Sequence, residues 1–130
     1  MIEFVLKFFA IIPLRLNHFI GSLIGRYLYL TQSDSKKVVS KNIELCFPSL
    51  SCSEQQQLIK KSLIETGKGL SESGFIWFNS FENNAKYITK ITGMEHLESN
   101  KPVILLVPHF GCWEITGRVL SLSKPVIFLY

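Results

Sequence analysis

Two side chains suited to proton transfer lie close together in the sequence, His109 and Glu114, in the segment His-Phe-Gly-Cys-Trp-Glu. If His109 lies in a loop and Glu114 in the first turn of a following helix, a carboxylate–imidazole hydrogen bond becomes possible. The carboxylate would fix the imidazole tautomer and favour its charged form, which makes His109 a better general base. Such a dyad is suited to taking a proton from an alcohol while the alcohol attacks an acyl carbonyl. A loop histidine and a glutamate stabilised by the helix dipole are the alternative interpretation.

The segments on either side of this pair predict the elements that would position it. Residues 103–107 (Val-Ile-Leu-Leu-Val) form an uncharged run between Pro102 and Pro108, and its length and composition predict a strand buried on both faces. Residues 113–122 have the apolar spacing of a helix. A strand, a short loop and a helix N-terminus form the arrangement in which open α/β sheets place their chemistry.

The rest of the chain is predicted to be helical first and then to alternate between strands and helices. Pro13 should end a first helix, and Ser51 with Glu54 has the spacing of a capping box at the start of a long helix. Residues 79–84 are predicted as a loop and 94–99 as a short helix, while 87–92 and 126–129 read as strands. The predicted fold class is α/β: an N-terminal helical region followed by the start of a mainly parallel sheet, β-α-β-α-β, which is incomplete.

Three blocks of the sequence resemble the bacterial lipid A biosynthesis acyltransferases, the late lauroyl and myristoyl transferases of the His-x4-Asp/Glu acyltransferase group. The first block is His109-Phe-Gly-Cys-Trp-Glu114 with the apolar run before it. The second is Ser40-Lys-Asn-Ile-Glu-Leu-Cys-Phe-Pro-Ser-Leu-Ser51, and the third is Gly93-Met-Glu-His-Leu97. The blocks occur in the family's order and cover roughly residues 15–130. The sequence departs from the family at Cys112, where the family usually has Asn.

The resemblance implies transfer of a fatty acyl group from acyl carrier protein to a hydroxyl of a lipid A precursor. His109 would be the general base, and Glu114 would orient it and stabilise its charged form. Backbone N–H groups of residues 110–112 are candidate donors to the tetrahedral oxyanion. Because a thioester is already activated, no metal and no cofactor are expected. The predicted substrate-binding residues are Phe110, Gly111, Cys112, Trp113 and Arg118.

The composition limits the partners. The net charge is +4, from 14 basic and 10 acidic residues. No Arg/Lys-rich motif or basic stripe with interleaved aromatics supports binding to nucleic acid, so an anionic membrane surface and an acidic carrier protein are the better candidates. The three cysteines have no metal-binding spacing, and their odd number argues against a disulfide framework.

Residues 1–30 are apolar but are interrupted by Lys7, Arg15 and Arg26. The uncharged run at 16–25 is well short of the ~20 residues that a spanning helix needs. An apolar stripe at helical spacing has two interpretations: it packs on the domain's own core, or it lies in the headgroup region of a membrane. Family members are associated with the inner membrane. We therefore predict membrane-associated helices at 1–30 on the cytoplasmic face of the bacterial inner membrane, and the N-terminal portion of an acyltransferase domain at 31–130. The stripe comprises Leu16, Phe19, Ile20, Leu23, Ile24, Tyr27 and Leu28.

Two other functions compete with this interpretation. The sequence stops on the predicted strand 126–129, which would leave the sheet about half built, so the chain could be a truncated and inactive membrane-associated remnant of the family. Alternatively, Cys112 could be the nucleophile of a thioesterase or transferase, with His109 beside it. A thiol near a helix N-terminus and an imidazolium would have a lowered pKa.

Overall fold

The structure is a computed structural model that describes residues 2–98 and 101–127, and the regular elements of this part of the chain are all helical. Pro13 separates the first two helices, as predicted, and Pro48 follows the third. A turn of 3-10 helix at Met94–Leu97 comes between the fifth and sixth helices. The α-helices are α1 (Ile2–Ile11), α2 (Leu14–Leu30), α3 (Asp34–Cys46), α4 (Cys52–Phe78), α5 (Phe81–Ala85) and α6 (Glu114–Ser121).

The long helix α4 is the centre of the fold, because α1, α2, α3 and α6 all pack against it. It begins with the predicted capping box, in which the Ser51 hydroxyl accepts from the Glu54 N–H and the Glu54 carboxylate accepts from the Ser51 N–H. Near this end the fully buried Leu63 packs with Ile43 and Ile59 in a small apolar core. The helix is therefore capped at its start and anchored by burial along its length.

Small residues bring α2 and α4 into backbone contact. Gly21 and Gly25 of α2 are buried, and a Cβ on Gly25 would collide with the backbone of Leu63 and Ile64. A Cβ on Gly67 would collide in turn with the backbone of α2. The glycines cost helix propensity, but without them the two axes could not approach so closely.

Part of the predicted apolar stripe of α2 is exposed. Phe19 is 60% exposed, Tyr27 is 66% exposed, and Leu16 and Leu23 are also exposed. The packed face instead carries Asn17, Gly21 and Gly25. Other members of the stripe are half-buried, and Leu28 packs against the apolar core around Leu63. The stripe is therefore divided between packing on the protein's own core and an exposed apolar surface, and membrane contact stays a prediction.

The predicted parallel sheet is wrong for the part of the chain that the structure describes, which contains no strand. Residues 103–107 are irregular, with Ile104 90% and Leu106 91% exposed. Residues 87–92 and 125–127 do not pair with this segment as strands, and 128–129 lie outside the described residues. A parallel strand is stabilised by its neighbours on both edges and by cover on both faces, and an apolar run cannot form one without those partners.

Two shorter predictions also need correction. Residues 79–84 were expected to be a loop, but Ser80 caps the short helix α5 by accepting from the Asn83 N–H. Where a helix was expected at 94–99, the structure has a single 3-10 turn at Met94–Leu97, preceded by Gly93 at a φ of 83°, and residue 99 lies outside the described residues. In contrast, the helix expected at 113–122 is confirmed as α6.

Candidate active site

The loop before α6 presents His109 to solvent. His109 and Phe110 are exposed, and the imidazole stacks on the Trp113 ring with centroids 4.3 Å apart and planes at 27°. Gly111 has a φ of 59°, the left-handed conformation that glycine adopts without steric cost. The reversal at Gly111 lets Trp113, at the N-terminus of α6, reach back to His109. Trp113 therefore fixes the plane of the imidazole while leaving it open to a substrate.

Glu114 lies in the first turn of α6, as predicted, but it does not bond to His109. Its Oε1 accepts a hydrogen bond from Ser73 Oγ of α4 at 3.2 Å. Neither a hydrogen bond nor an ion pair joins the His109 imidazole to this carboxylate, although both residues are described. The structure thus brings the two predicted catalytic residues into one loop–helix unit without forming the predicted contact between them.

The N–H groups expected to bind an oxyanion are only partly available. The Phe110 N–H donates to the Pro108 carbonyl at 2.7 Å, which removes it from the predicted set. Gly111 and Cys112, the other two predicted donors, make no backbone–backbone hydrogen bond through their N–H groups to any described residue. They lie at the turn that leads into α6, where the helix dipole favours negative charge.

The environment of Cys112 argues against a nucleophilic thiol. Partial burial, together with the negative charges of Glu72 and Glu114 and a hydrogen bond to Glu72, raises the pKa of the Cys112 thiol to about 12 from an ordinary 9.0. A thiolate is the nucleophilic form, and this site disfavours it. The cysteine-dependent alternative requires a lowered pKa at Cys112, and the pKa of this thiol is instead raised.

The structure adds three residues to the site that the sequence alone did not reveal. His18 Nε2 of α2 forms a short hydrogen bond with Glu72 Oε1 of α4, and both side chains are partly buried. Glu72 also faces Cys112, and the neighbouring Ser73 bonds to Glu114. The partners are about forty or more positions apart in sequence, so no local spacing could have indicated them.

Arg118, predicted to bind substrate, caps the end of α4. Its Nη1 donates to the carbonyl oxygens of Ile76 and Asn79, the latter at 2.9 Å. Carbonyls in the last turn of a helix lack partners within the helix, and a guanidinium is a suitable donor for them. Substrate binding by Arg118 stays a prediction, whereas its structural contact ties α6 to α4.

A cavity of about 360 Å³ opens beside the loop, between α4, α6 and residues 87–90. Its wall is mostly apolar, with Glu72 and Cys112 at the side nearest the loop. Among the described residues no group of three or more His, Cys, Asp or Glu side chains is arranged to hold a metal ion. The apolar part of the wall includes Leu14, Phe75, Ile76, Ile88 and Ile115.

Comparison with known proteins gives one consistent result. Residues 1–130 match the family described as bacterial lipid A biosynthesis acyltransferase. A lipid A biosynthesis lauroyltransferase of Escherichia coli (strain K12) is 32% identical over 123 residues, covering 92% of this chain and 40% of the relative. A palmitoleoyltransferase of the same pathway and strain is 28% identical over 130 residues, covering 97% of this chain and 42% of the relative. No solved structure matches the chain significantly.

The chain belongs to the bacterial lipid A biosynthesis acyltransferase family. It spans about two fifths of the length of the two Escherichia coli relatives. The family assignment agrees with the resemblance carried by the His109–Glu114 block and the two upstream blocks.

Proposed function

We propose that this chain carries the general base of an acyltransferase that moves a fatty acyl group from acyl carrier protein to a hydroxyl of a lipid A precursor. The observation that carries the proposal is the exposed His109 imidazole, held on Trp113 at the mouth of the α6 loop, in a chain of this family. The names of the relatives support lipid A acylation in general. We add to this that the acyl donor is acyl carrier protein and that the acceptor is a hydroxyl group of the lipid A precursor.

In the proposed reaction His109 takes the proton of the acceptor hydroxyl as its oxygen attacks the thioester carbonyl. The tetrahedral intermediate places its negative oxygen near the N–H groups of Gly111 and Cys112. Collapse of the intermediate breaks the carbon–sulfur bond, and the departing thiolate takes the proton back from the imidazolium. The products are an ester and a free carrier thiol, and His109 returns to its neutral form.

Glu114 supports this chemistry through its charge. A carboxylate in the first turn of α6 stabilises the imidazolium that forms on His109, without a direct hydrogen bond between them. Ser73 keeps one of its oxygens in place. Trp113 orients the His109 imidazole, since stacking of the two rings limits the rotation of the imidazole.

The acyl chain of the donor lies in the cavity beside the loop. Support comes from its position next to Cys112 and from its wall of Phe75, Ile76, Ile88 and Ile115. Burying a hydrocarbon chain there gains about 0.8 kcal/mol per methylene group. The aromatic side chain of Phe75, which packs edge-on against Tyr87 at 5.6 Å, forms one wall.

The protein acts at the surface of the inner membrane, on the cytoplasmic side. Support comes from the exposed apolar faces of α1 and α2, where Phe4 and Phe19 project outward, and from the exposed Arg15 and Arg26 beside them. No helix among the described residues has both the length and the apolar character to cross a bilayer. Apolar residues enter the headgroup region and the arginines contact lipid phosphates.

The test is a transfer assay with the protein expressed from its whole gene. Purified protein in mild detergent is given acyl-loaded carrier protein and a lipid A precursor, and the acylated lipid is measured by mass spectrometry. Acylation of the precursor by the carrier-protein donor supports the proposal. Acylation only with acyl coenzyme A would show that the donor is not acyl carrier protein. Hydrolysis of the thioester without a lipid product would show that the protein is a thioesterase and not a transferase.

A further inference from the structure

Four consecutive residues of α4 contact four different parts of the molecule. Ser71 Oγ donates to the Asn17 carbonyl of α2, and Gly74 lies against α1. Between them, Glu72 faces His18 and Cys112, and Ser73 bonds to Glu114. Because successive helical residues point in directions about 100° apart, one turn of α4 joins the helical body to the candidate active-site loop.

Glu72 is the residue of this turn with the most demanding environment. Its side chain is 21% exposed, and a partly buried carboxylate is stable only with donors or positive charge nearby. His18 supplies one contact from α2, and Cys112 supplies a thiol from the loop. Glu72 and Cys112 also line the same cavity. The carboxylate therefore bridges the rigid α2–α4 pair and the middle of the loop.

We propose that Glu72, held in place by His18, is a positioning residue for the acyl-transfer site. It fixes the loop at Cys112, three residues after His109, while Ser73 fixes the other end of the loop at Glu114. This inference rests on the proposed function, because positioning matters only if His109 acts on a substrate. Glu72 takes no part in the proton transfer and acts on it only through the position of the loop.

Holding the loop in place keeps the His109 imidazole at a fixed distance from the acceptor hydroxyl. A loop held only at Glu114 could pivot about Gly111, and His109 would then spend less time near the acceptor hydroxyl. A displacement of about 1 Å from the productive geometry costs up to about a hundredfold in rate. Loss of Glu72 should therefore lower kcat with little change in KM.

The first experiment measures the Glu72–Cys112 contact without any acyl transfer. Cys46 and Cys52 are exposed and are replaced by serine, so that iodoacetamide reports on Cys112 alone. Glu72→Gln removes a negative charge that raises the pKa of the Cys112 thiol, and the alkylation rate should rise at least severalfold. The matched control is Glu65→Gln on the same helix, whose carboxylate pairs with Lys68 at 2.7 Å and should leave the rate unchanged.

The second experiment is a double-mutant cycle on kcat in the protein from its whole gene. Glu72→Gln and Cys112→Ala should each lower kcat by about ten- to a hundredfold, and the double variant should be no worse than the poorer single variant. In Cys112→Asn the side-chain amide can donate to the Glu72 carboxylate, so this variant should have a higher kcat than Cys112→Ala. His18→Ala should shift kcat in the same direction as Glu72→Gln. Cys112→Ala changes only the loop, so it tests the contact even if a Glu72 variant fails to fold.

The outcomes separate this inference from the proposed function. Unchanged alkylation in Glu72→Gln, or losses in kcat that simply multiply in the double variant, would overturn the positioning role. If no variant and no wild-type protein transfers an acyl group, the proposed function fails, and the alkylation rates still decide whether Glu72 holds Cys112.

Discussion

The candidate site consists of the loop before α6 and of side chains from α2 and α4 that lie next to this loop. His109 and Glu114 could be identified from their types and spacing, because proton transfer requires such groups. Their partners could not be identified in that way. Ser73 reaches Glu114 only because α4 and α6 pack together, and this packing is a property of the tertiary structure. Trp113 stacks on His109 through the reversal of the chain at Gly111.

The protonation of Cys112 gives the first prediction at the residue scale. Since the pKa of this thiol is raised to about 12, the thiolate fraction stays very small at mildly alkaline pH and grows only as the pH approaches that value. Iodoacetamide should therefore label the exposed Cys46 and Cys52 well before Cys112. Peptide mapping of a time course measures all three rates together. Labelling of Cys112 first would restore the cysteine-dependent mechanism.

The cavity beside the loop gives a second prediction. Ile115→Trp places a larger side chain in its wall and should shift the donor preference toward shorter acyl chains. Competition between carrier-protein donors of different chain length measures the shift. Leu70→Trp is the control, because Leu70 is exposed on α4 and does not line the cavity. An unchanged preference in the Ile115 variant would place the acyl chain elsewhere.

At the scale of elements, the longer helices and α6 were predictable, whereas the short helix α5 and the absence of a sheet among the described residues were not. Pro13, the Ser51–Glu54 capping box and the spacing after Trp113 are local signals, and each corresponds to an observed helix boundary or helix. The run at 103–107 has the composition of a strand, but a strand exists only when other segments pair with it. The composition of residues 103–107 therefore shows only that the segment would fit into a sheet, and it does not show which strands would pair with it.

The close approach of α2 and α4 gives the prediction at this scale. Gly25→Ala should destabilise the fold by about 1–3 kcal/mol, because the added methyl group would meet the backbone of Leu63 and Ile64. Gly69→Ala is the matched control on α4, where a Cβ meets nothing within 4 Å, and it should stabilise the helix by about 0.5–1 kcal/mol. Urea unfolding followed by circular dichroism measures both. Equal effects would mean that the helices do not pack through these glycines.

For the whole molecule, the main surface feature is the apolar face of α1 and α2. Phe19, Leu23 and Tyr27 are exposed on α2, and exposed apolar patches mark interaction surfaces. The sequence predicted the stripe but left open which way it pointed. The direction depends on Gly21 and Gly25, since their lack of side chains makes the opposite face of α2 the one that packs closely on α4.

Vesicle binding tests this surface without removing the helices that support α4. Replacing Phe19, Leu23 and Tyr27 together by serine should release much of the protein from anionic vesicles, while the fold is kept because these side chains are exposed. Leu122→Ser, at an exposed leucine beyond α6, is the control. High salt should weaken binding of the unchanged protein but not abolish it, because apolar insertion persists when charges are screened. Complete release by salt alone would contradict an inserted apolar face.

The most direct test of the account is the turnover of His109→Ala in the carrier-protein assay. Loss of the general base should lower kcat by about 10²–10⁴-fold while donor binding is retained, and Glu114→Gln should lower it less. His96→Ala is the matched control, since this histidine is highly exposed on the 3-10 turn, and it should keep normal turnover. Turnover of His109→Ala within a few-fold of the unchanged protein would contradict the assignment of this loop as the active site.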